Sequence, residues 1–86
     1  MAEAPAIFIT GAASGIGRAM AREFASRGWF VGLADLNEAG LAETAALLPS
    51  GQSASYRLDV RHRDEWDEQL KACVAAAGGR LDARAH

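Results

Sequence analysis

The sequence predicts an α/β fold, with three parallel strands in the order 3-2-1 and alternating helices, one half of a doubly wound sheet. Three observations carry this. Apolar, β-branched runs alternate with stretches of helical periodicity, the pattern of parallel strands joined by crossovers. A glycine cluster, "TGAASGIG", sits where the first strand gives way to the first helix. The 86 residues set one domain, 1–86, as the ceiling.

Each element has its own signal. Ala6 to Thr10, "AIFIT" after Pro5, reads as a strand buried on both faces. From Gly15, the residues Ile16, Ala19, Met20 and Phe24 form a helical stripe, with Arg18, Arg22, Glu23 and Arg27 opposite and Gly28 as the stop. Trp29 to Ala34, "WFVGLA", is a second apolar run closed by Asp35. Asn37 is the expected N-cap of a second helix with Leu41, Ala45 and Leu48 on one side, ended by Pro49, Ser50 and Gly51. Ser53 to Asp59 is a weaker third strand, with Tyr56 and Leu58 toward a core. A third helix from about Arg63 to Ala77 places Trp66, Leu70, Cys73, Val74 and Ala77 on one stripe, with Asp64 and Glu65 in its first turn. Gly78 and Gly79 end it, and "RLDARAH" closes the sequence. The expected arrangement is a partial Rossmann fold, the mononucleotide-binding half of a doubly wound sheet.

Composition excludes several function classes. Half the residues are hydrophobic and 23% are charged, a globular balance. The net charge is −2, with cations scattered among acids, so nucleic acid is not an expected partner. No apolar stretch approaches the roughly 18 residues of a membrane span. "MAEAPAIFIT" lacks the basic region of a signal peptide. The single cysteine, Cys73, reads as a small buried hydrophobe, and a cytoplasmic location is the default.

The glycines point to a phosphate. A helix N-terminus offers unpaired N–H groups and partial positive charge, and side chains would keep an anion from it. Gly11 lets the chain turn off the strand, Gly15 clears the path of a diphosphate, and Gly17 lets the helix pack closely. Ser14 adds a hydroxyl donor. The spacing G-x-x-x-G-x-G differs from G-x-G-x-x-G, and no Gly-Lys-Ser/Thr of a P-loop occurs. Asp35, 18 positions after Gly17 at the end of the second strand, suits the adenosine ribose hydroxyls and would repel a 2′-phosphate. This favours NAD over NADP. Arg18 is expected in solvent or near the diphosphate. Asp59 and Val60 stand at the same sheet edge: either Asp59 accepts from the adenine amino group with Val60 against the ring, or Asp59 caps a helix. Ile16, between two glycines, and Leu36, after the aspartate, complete the expected contact set.

With these residues the chain closely resembles the short-chain dehydrogenase/reductase family, from about Ala6 to Asp82. The resemblance implies that Thr10, Gly11, Gly15 and Gly17 open a cofactor site, that Asp35 marks NAD preference and that the Asp59–Val60 pair binds adenine. It also implies hydride transfer between NAD and an alcohol or carbonyl in full-length members. Members usually continue from a pair like Leu81–Asp82 into a fourth strand, an N-N-A-G motif, a catalytic serine and a Tyr-x-x-x-Lys pair. After Asp82 the sequence reads only "ARAH", so the resemblance implies a fold truncated before the fourth strand, with no N-N-A-G motif, catalytic serine or Tyr-x-x-x-Lys pair expected here. Tyr56 and Lys71, the only tyrosine and lysine, have the wrong spacing, and His62 and His86 are equally poor candidates. No catalytic residue and no metal site is therefore expected, and the substrate site is missing. A non-catalytic nucleotide-binding fragment and an unstable truncated product stay open as alternatives. With no fourth strand, the edge of the first strand is expected to be exposed and to invite self-association.

Overall fold

The computed structural model describes residues 5–59, 61–79 and 81–85. The element order is β1 (Ala6–Thr10), α1 (Gly15–Ser26), β2 (Phe30–Asp35), α2 (Glu38–Ala46), β3 (Ser53–Arg57), α3 (Arg63–Ala76) and β4 (Ala83–Ala85). The strands form one sheet in the order β3-β2-β1-β4, and every pairing is parallel.

Period-two alternation divides the core between the two faces of the sheet. Ile7, Ile9, Val31 and Leu33 project to one side, where Ala21 and Ala25 of α1 and Leu41 of α2 cover them. Phe8 and Ala34 project to the other, packed with Leu58 and with Cys73 of α3. Tyr56, Trp66 and Leu70 close this second cluster; the Phe8 ring centroid lies 6.0 Å from that of Tyr56 and 5.6 Å from that of Trp66. Every residue of β1 is buried, as its unbroken apolar run predicts.

The predicted 3-2-1 order stands, and the structure extends it. The edge of β1 expected to lie open is occupied by β4, with Ile7, Phe8 and Ile9 opposite Ala83, Arg84 and Ala85. Asp82 anchors the pairing: its carboxylate accepts from the Ala6 N–H at 2.8 Å, and its own N–H donates to the Ala6 carbonyl at 2.9 Å. The reason is the obligation of buried backbone groups to find partners. A strand buried on both faces needs partners for both its ladders, and the three-residue Ala-Arg-Ala segment supplies the second.

A second difference concerns α1. The expected stripe of Ile16, Ala19, Met20 and Phe24 is turned by one residue. Gly17, Ala21 and Ala25 are buried, Met20 and Phe24 pack beside them, and Ile16 is 80% exposed. The small residues at i, i+4 and i+8 let the helix approach the sheet closely, which a row of larger side chains would prevent. The other helices follow expectation: Asn37 caps α2 by accepting from the Gly40 N–H at 3.0 Å, and Cys73 is wholly buried on α3. No helix among the described residues is long and apolar enough to cross a membrane.

Candidate cofactor site

The site begins where β1 ends. Thr10 is the last, buried residue of the strand. Gly11 follows with φ +69°, a conformation that residues with a Cβ rarely adopt. The chain then turns through Ala12 and Ala13 to Ser14, the N-cap of α1. Ser14 does double duty. Its Oγ donates to the Gly11 carbonyl at 2.6 Å and accepts from the Gly17 N–H at 3.2 Å. Its N–H bonds to the same Gly11 carbonyl at 3.0 Å, and its carbonyl accepts from Arg18 N–H at 2.8 Å.

The other two glycines of the motif differ in surroundings. A Cβ on Gly17 would fall on the Gly11 carbonyl oxygen and lie 2.7 Å from its carbon and 3.0 Å from Ala12 Cα, all main-chain atoms. Packing of helix on loop therefore requires glycine there. A Cβ on Gly15 would meet nothing within 4 Å. Nothing in the folded chain demands glycine at this exposed position, and its open side lies at the first turn of α1. An α-helix leaves its first N–H groups without intrahelical acceptors. Ser14 takes those of Gly17 and Arg18, and those of Gly15 and Ile16 have no protein acceptor among the described residues.

Asp35 stands half-buried at the end of β2. Its Oδ2 accepts from the Ala13 N–H and its Oδ1 from the Asn37 N–H, each at 3.0 Å. The carboxylate thus ties the glycine loop to the start of α2. Each oxygen keeps a further lone pair for a ligand hydroxyl.

Asp59, just past β3, is almost buried and is held by Arg61. The guanidinium Nη2 lies 2.7 Å from Oδ2 and Nε lies 2.9 Å from Oδ1, while the Arg61 N–H reaches Oδ1 at 3.0 Å. These hydrogen bonds hold the Asp59 carboxyl well below the usual carboxylate range, and Asp59 raises Arg61 in turn. Of the two expectations for Asp59, helix capping does not occur: His62 is the N-cap residue of α3, with no side-chain cap bond, and the Asp59 side chain makes a local turn with Arg61 instead. Val60 lies outside the described residues.

The structure brings together four of the predicted residues. Gly11, Asp35, Leu36 and Asp59, with Leu58 and Arg61, line a groove of about 240 Å³ at the carboxyl ends of β1, β2 and β3. Thr10, Ser14, Gly15, Ile16 and Gly17 do not line it; they lie at the end of β1, at the N-cap of α1 and in its first turn, on either side of Gly11 in the chain. Arg18 does not join them. It reaches across to α2, donating to Thr44 Oγ1 at 2.9 Å, to the Gly40 carbonyl at 3.2 Å and to Glu43 at 3.3 Å. Sequence reasoning missed Arg61, although an acid followed two residues later by a donor is a known local turn pattern. Tyr56 and Lys71 lie away from the groove. Tyr56 packs on Phe8 with its phenol pushed up to about 12, first by burial and then by Cys73 beside it, and Lys71 is exposed on α3.

Residues 5–83 match the short chain dehydrogenase family. A probable 2,4-dienoyl-CoA reductase of Bacillus subtilis is 40% identical over 83 residues, covering 94% of this chain and 32% of that protein. A short chain dehydrogenase/reductase of Burkholderia phymatum, solved in complex with NAD, superposes with a TM-score of 0.87 at 34% identity, covering 98% of this chain and 31% of that one. A 3-ketoacyl-(acyl-carrier-protein) reductase of Brucella melitensis, complexed with NADH, gives 0.87 at 28% identity over 95% of this chain and 33% of that one. The chain spans about a third of the length of the curated relatives it matches.

Proposed function

The chain belongs to the short chain dehydrogenase family, and from that premise we propose that it binds the adenosine and diphosphate half of NAD, the cofactor-holding part of an alcohol–carbonyl oxidoreductase. The observation that carries this reading is the convergence of Gly11, Asp35, Leu36 and Asp59 in one groove beside the first turn of α1. Open α/β sheets take ligands at the carboxyl ends of their strands, where loops diverge.

Each residue has a role in the proposal. The Gly15 and Ile16 N–H groups donate to the diphosphate, and the absent Cβ of Gly15 leaves room for it. Asp35 accepts from the ribose hydroxyls with the lone pairs its two backbone bonds leave free. Its charge, unopposed by any basic residue at Leu36, favours NAD over NADP. Asp59 and Val60 take the adenine, Asp59 sharing its carboxylate with Arg61. Ile16 and Leu36, both exposed, cover the cofactor with apolar surface. NAD supplies hydride chemistry when bound; this chain's residues bind and orient it. The cytoplasm, with its reduced thiols and free NAD, is the proposed setting.

A second reading, dinucleotide binding without turnover, draws on Tyr56. Half-buried against Phe8 with its pKa near 12, it is a poor proton donor or acceptor at neutral pH and does not line the groove. Titration calorimetry with NAD, ADP-ribose and NADP tests the binding proposal. The expected order is NAD and ADP-ribose within tenfold of each other and NADP weaker. NADP binding as tight as NAD would remove the role given to Asp35, and no heat with any of the three would remove the proposal. Assay of NADH formation with a panel of alcohols separates the two readings: turnover above a no-protein control would reject the second.

A further inference from the structure

Thr44 lies on α2 and touches no part of the groove, yet it is wholly buried and its hydroxyl ends on the glycine loop. Thr44 Oγ1 is 2.7 Å from the Ala12 carbonyl and 3.1 Å from the Gly40 carbonyl. A hydroxyl has one proton and must choose. Arg18 decides the choice. Its Nε donates to Thr44 Oγ1, and its Nη2 donates to the Gly40 carbonyl, the competing acceptor. The Thr44 proton is thereby directed to Ala12, and the guanidinium charge strengthens the bond.

The consequence follows from peptide planarity. Fixing the Ala12 carbonyl fixes the Ala13 N–H of the same peptide unit, and that N–H is held by Asp35 Oδ2. The peptide between Ala12 and Ala13 is therefore clamped at both ends. The neighbouring units are held as well: the Gly11–Ala12 unit by its Ala12 N–H, which bonds to the Ala34 carbonyl at 3.1 Å, and by its Gly11 carbonyl, which accepts from Ser14 N–H and Oγ, and the Ala13–Ser14 unit by that same Ser14 N–H. Every peptide plane from Gly11 to Ser14 is set before the chain reaches Gly15. Alanine at 12 and 13 has no polar side chain to do this, so the loop takes its support from α2.

We infer that Thr44, oriented by Arg18, is a positioning residue that holds the Ala12–Ala13 peptide and so presets the diphosphate-binding turn. This rests on the cofactor reading given above. The test is titration calorimetry of the full chain with ADP and with adenosine, which keeps the base and ribose and lacks the phosphates. Thr44→Val preserves shape and removes the hydroxyl; it is expected to weaken ADP about tenfold and leave adenosine within about twofold. Thr44→Ser restores the proton and should bind ADP within about twofold of the parent. Should Thr44→Val fail to fold, Thr44→Cys, with its weak donor, is expected to show the same phosphate-selective loss. Unchanged ADP binding in the substituted chain, or equal losses for ADP and adenosine, would overturn the assignment. A parent chain that binds adenosine but not ADP would bring down the cofactor reading instead, and the inference with it.

Discussion

Gly15 and Gly17 are two residues apart, and the structure gives them opposite fates on substitution. Alanine at 15 meets no heavy atom within 4 Å, and the backbone there has no positive φ. Folding should tolerate it and gain slightly, because alanine restricts the unfolded chain and favours a helix; about 0.5 kcal/mol is a reasonable gain at a first-turn position. For a domain of this size that is a rise in Tm of roughly 2–4 °C. Alanine at 17 meets main-chain atoms of Gly11 and Ala12 at 2.7–3.0 Å and the Gly11 oxygen closer still. These cannot swing aside as a flexible side chain would. The start of α1 must lift from the loop, an overpacking cost of about 1–3 kcal/mol and a fall in Tm of at least roughly 4 °C. Ligand binding separates the pair the other way. If a diphosphate rests against the Gly15 N–H, a methyl group beside it costs at least one charge-assisted hydrogen bond, about 1.5–3 kcal/mol, or about tenfold or more in ADP affinity. Calorimetric melts and ADP titrations of Gly15→Ala and Gly17→Ala measure both quantities. Gly15→Ala binding ADP within twofold of the parent would refute the reasoning about the open Cβ direction. So would a Gly15→Ala melt as depressed as that of Gly17→Ala.

Other outcomes follow from the same geometry. Asp35→Ala should weaken NAD and narrow the gap between NAD and NADP, and should also loosen the loop, since the Ala13 N–H loses its acceptor; an unchanged NAD/NADP ratio in titrations would exclude Asp35 from the ribose site. Tyr56 is the only tyrosine, so phenolate absorbance reports it alone. Its midpoint should be near 12 in the native chain and near 10 in denaturant. Because the folded value is raised, this residue's contribution to stability is present below pH 10 and is lost between 10 and 12; a native midpoint near 10 would contradict its burial. The Asp59 carboxyl is depressed by Arg61, so the stability from their pair is present above the ordinary carboxylate pKa and is lost as pH falls through the folded value. Arg61→Ala should return the Asp59 titration, followed by carboxyl NMR, to the usual range, and a titration that stays low would assign the effect to another group.

Much of this was legible in the residues. The β1 run, the glycine cluster, the Asn37 cap and the position of Asp35 are local signals, each decided by chemistry within a few residues. What escaped depends on distant partners. A three-residue Ala-Arg-Ala segment is too short to show alternation, and β4 exists because β1 needs a second ladder. The outward turn of Ile16 depends on how closely Gly17, Ala21 and Ala25 approach the sheet, which periodicity alone does not decide to within one residue. Arg18 looked like a solvent or phosphate residue because its partners, Thr44 and the Gly40 carbonyl, lie more than twenty residues away. For Asp59 the sequence left adenine binding and helix capping open; the cap is absent, and Arg61, which holds the carboxylate, carried no signal in the strand and helix pattern.

The central claim is that a diphosphate docks on the first-turn amides of α1. Amide shift mapping of the chain during ADP titration tests it most directly. The account predicts that the N–H signals of Gly15 and Ile16 move furthest and saturate together, with Gly11 and Asp35 following. Saturation with those two signals unmoved, and the changes elsewhere on the sheet or helices, would contradict it.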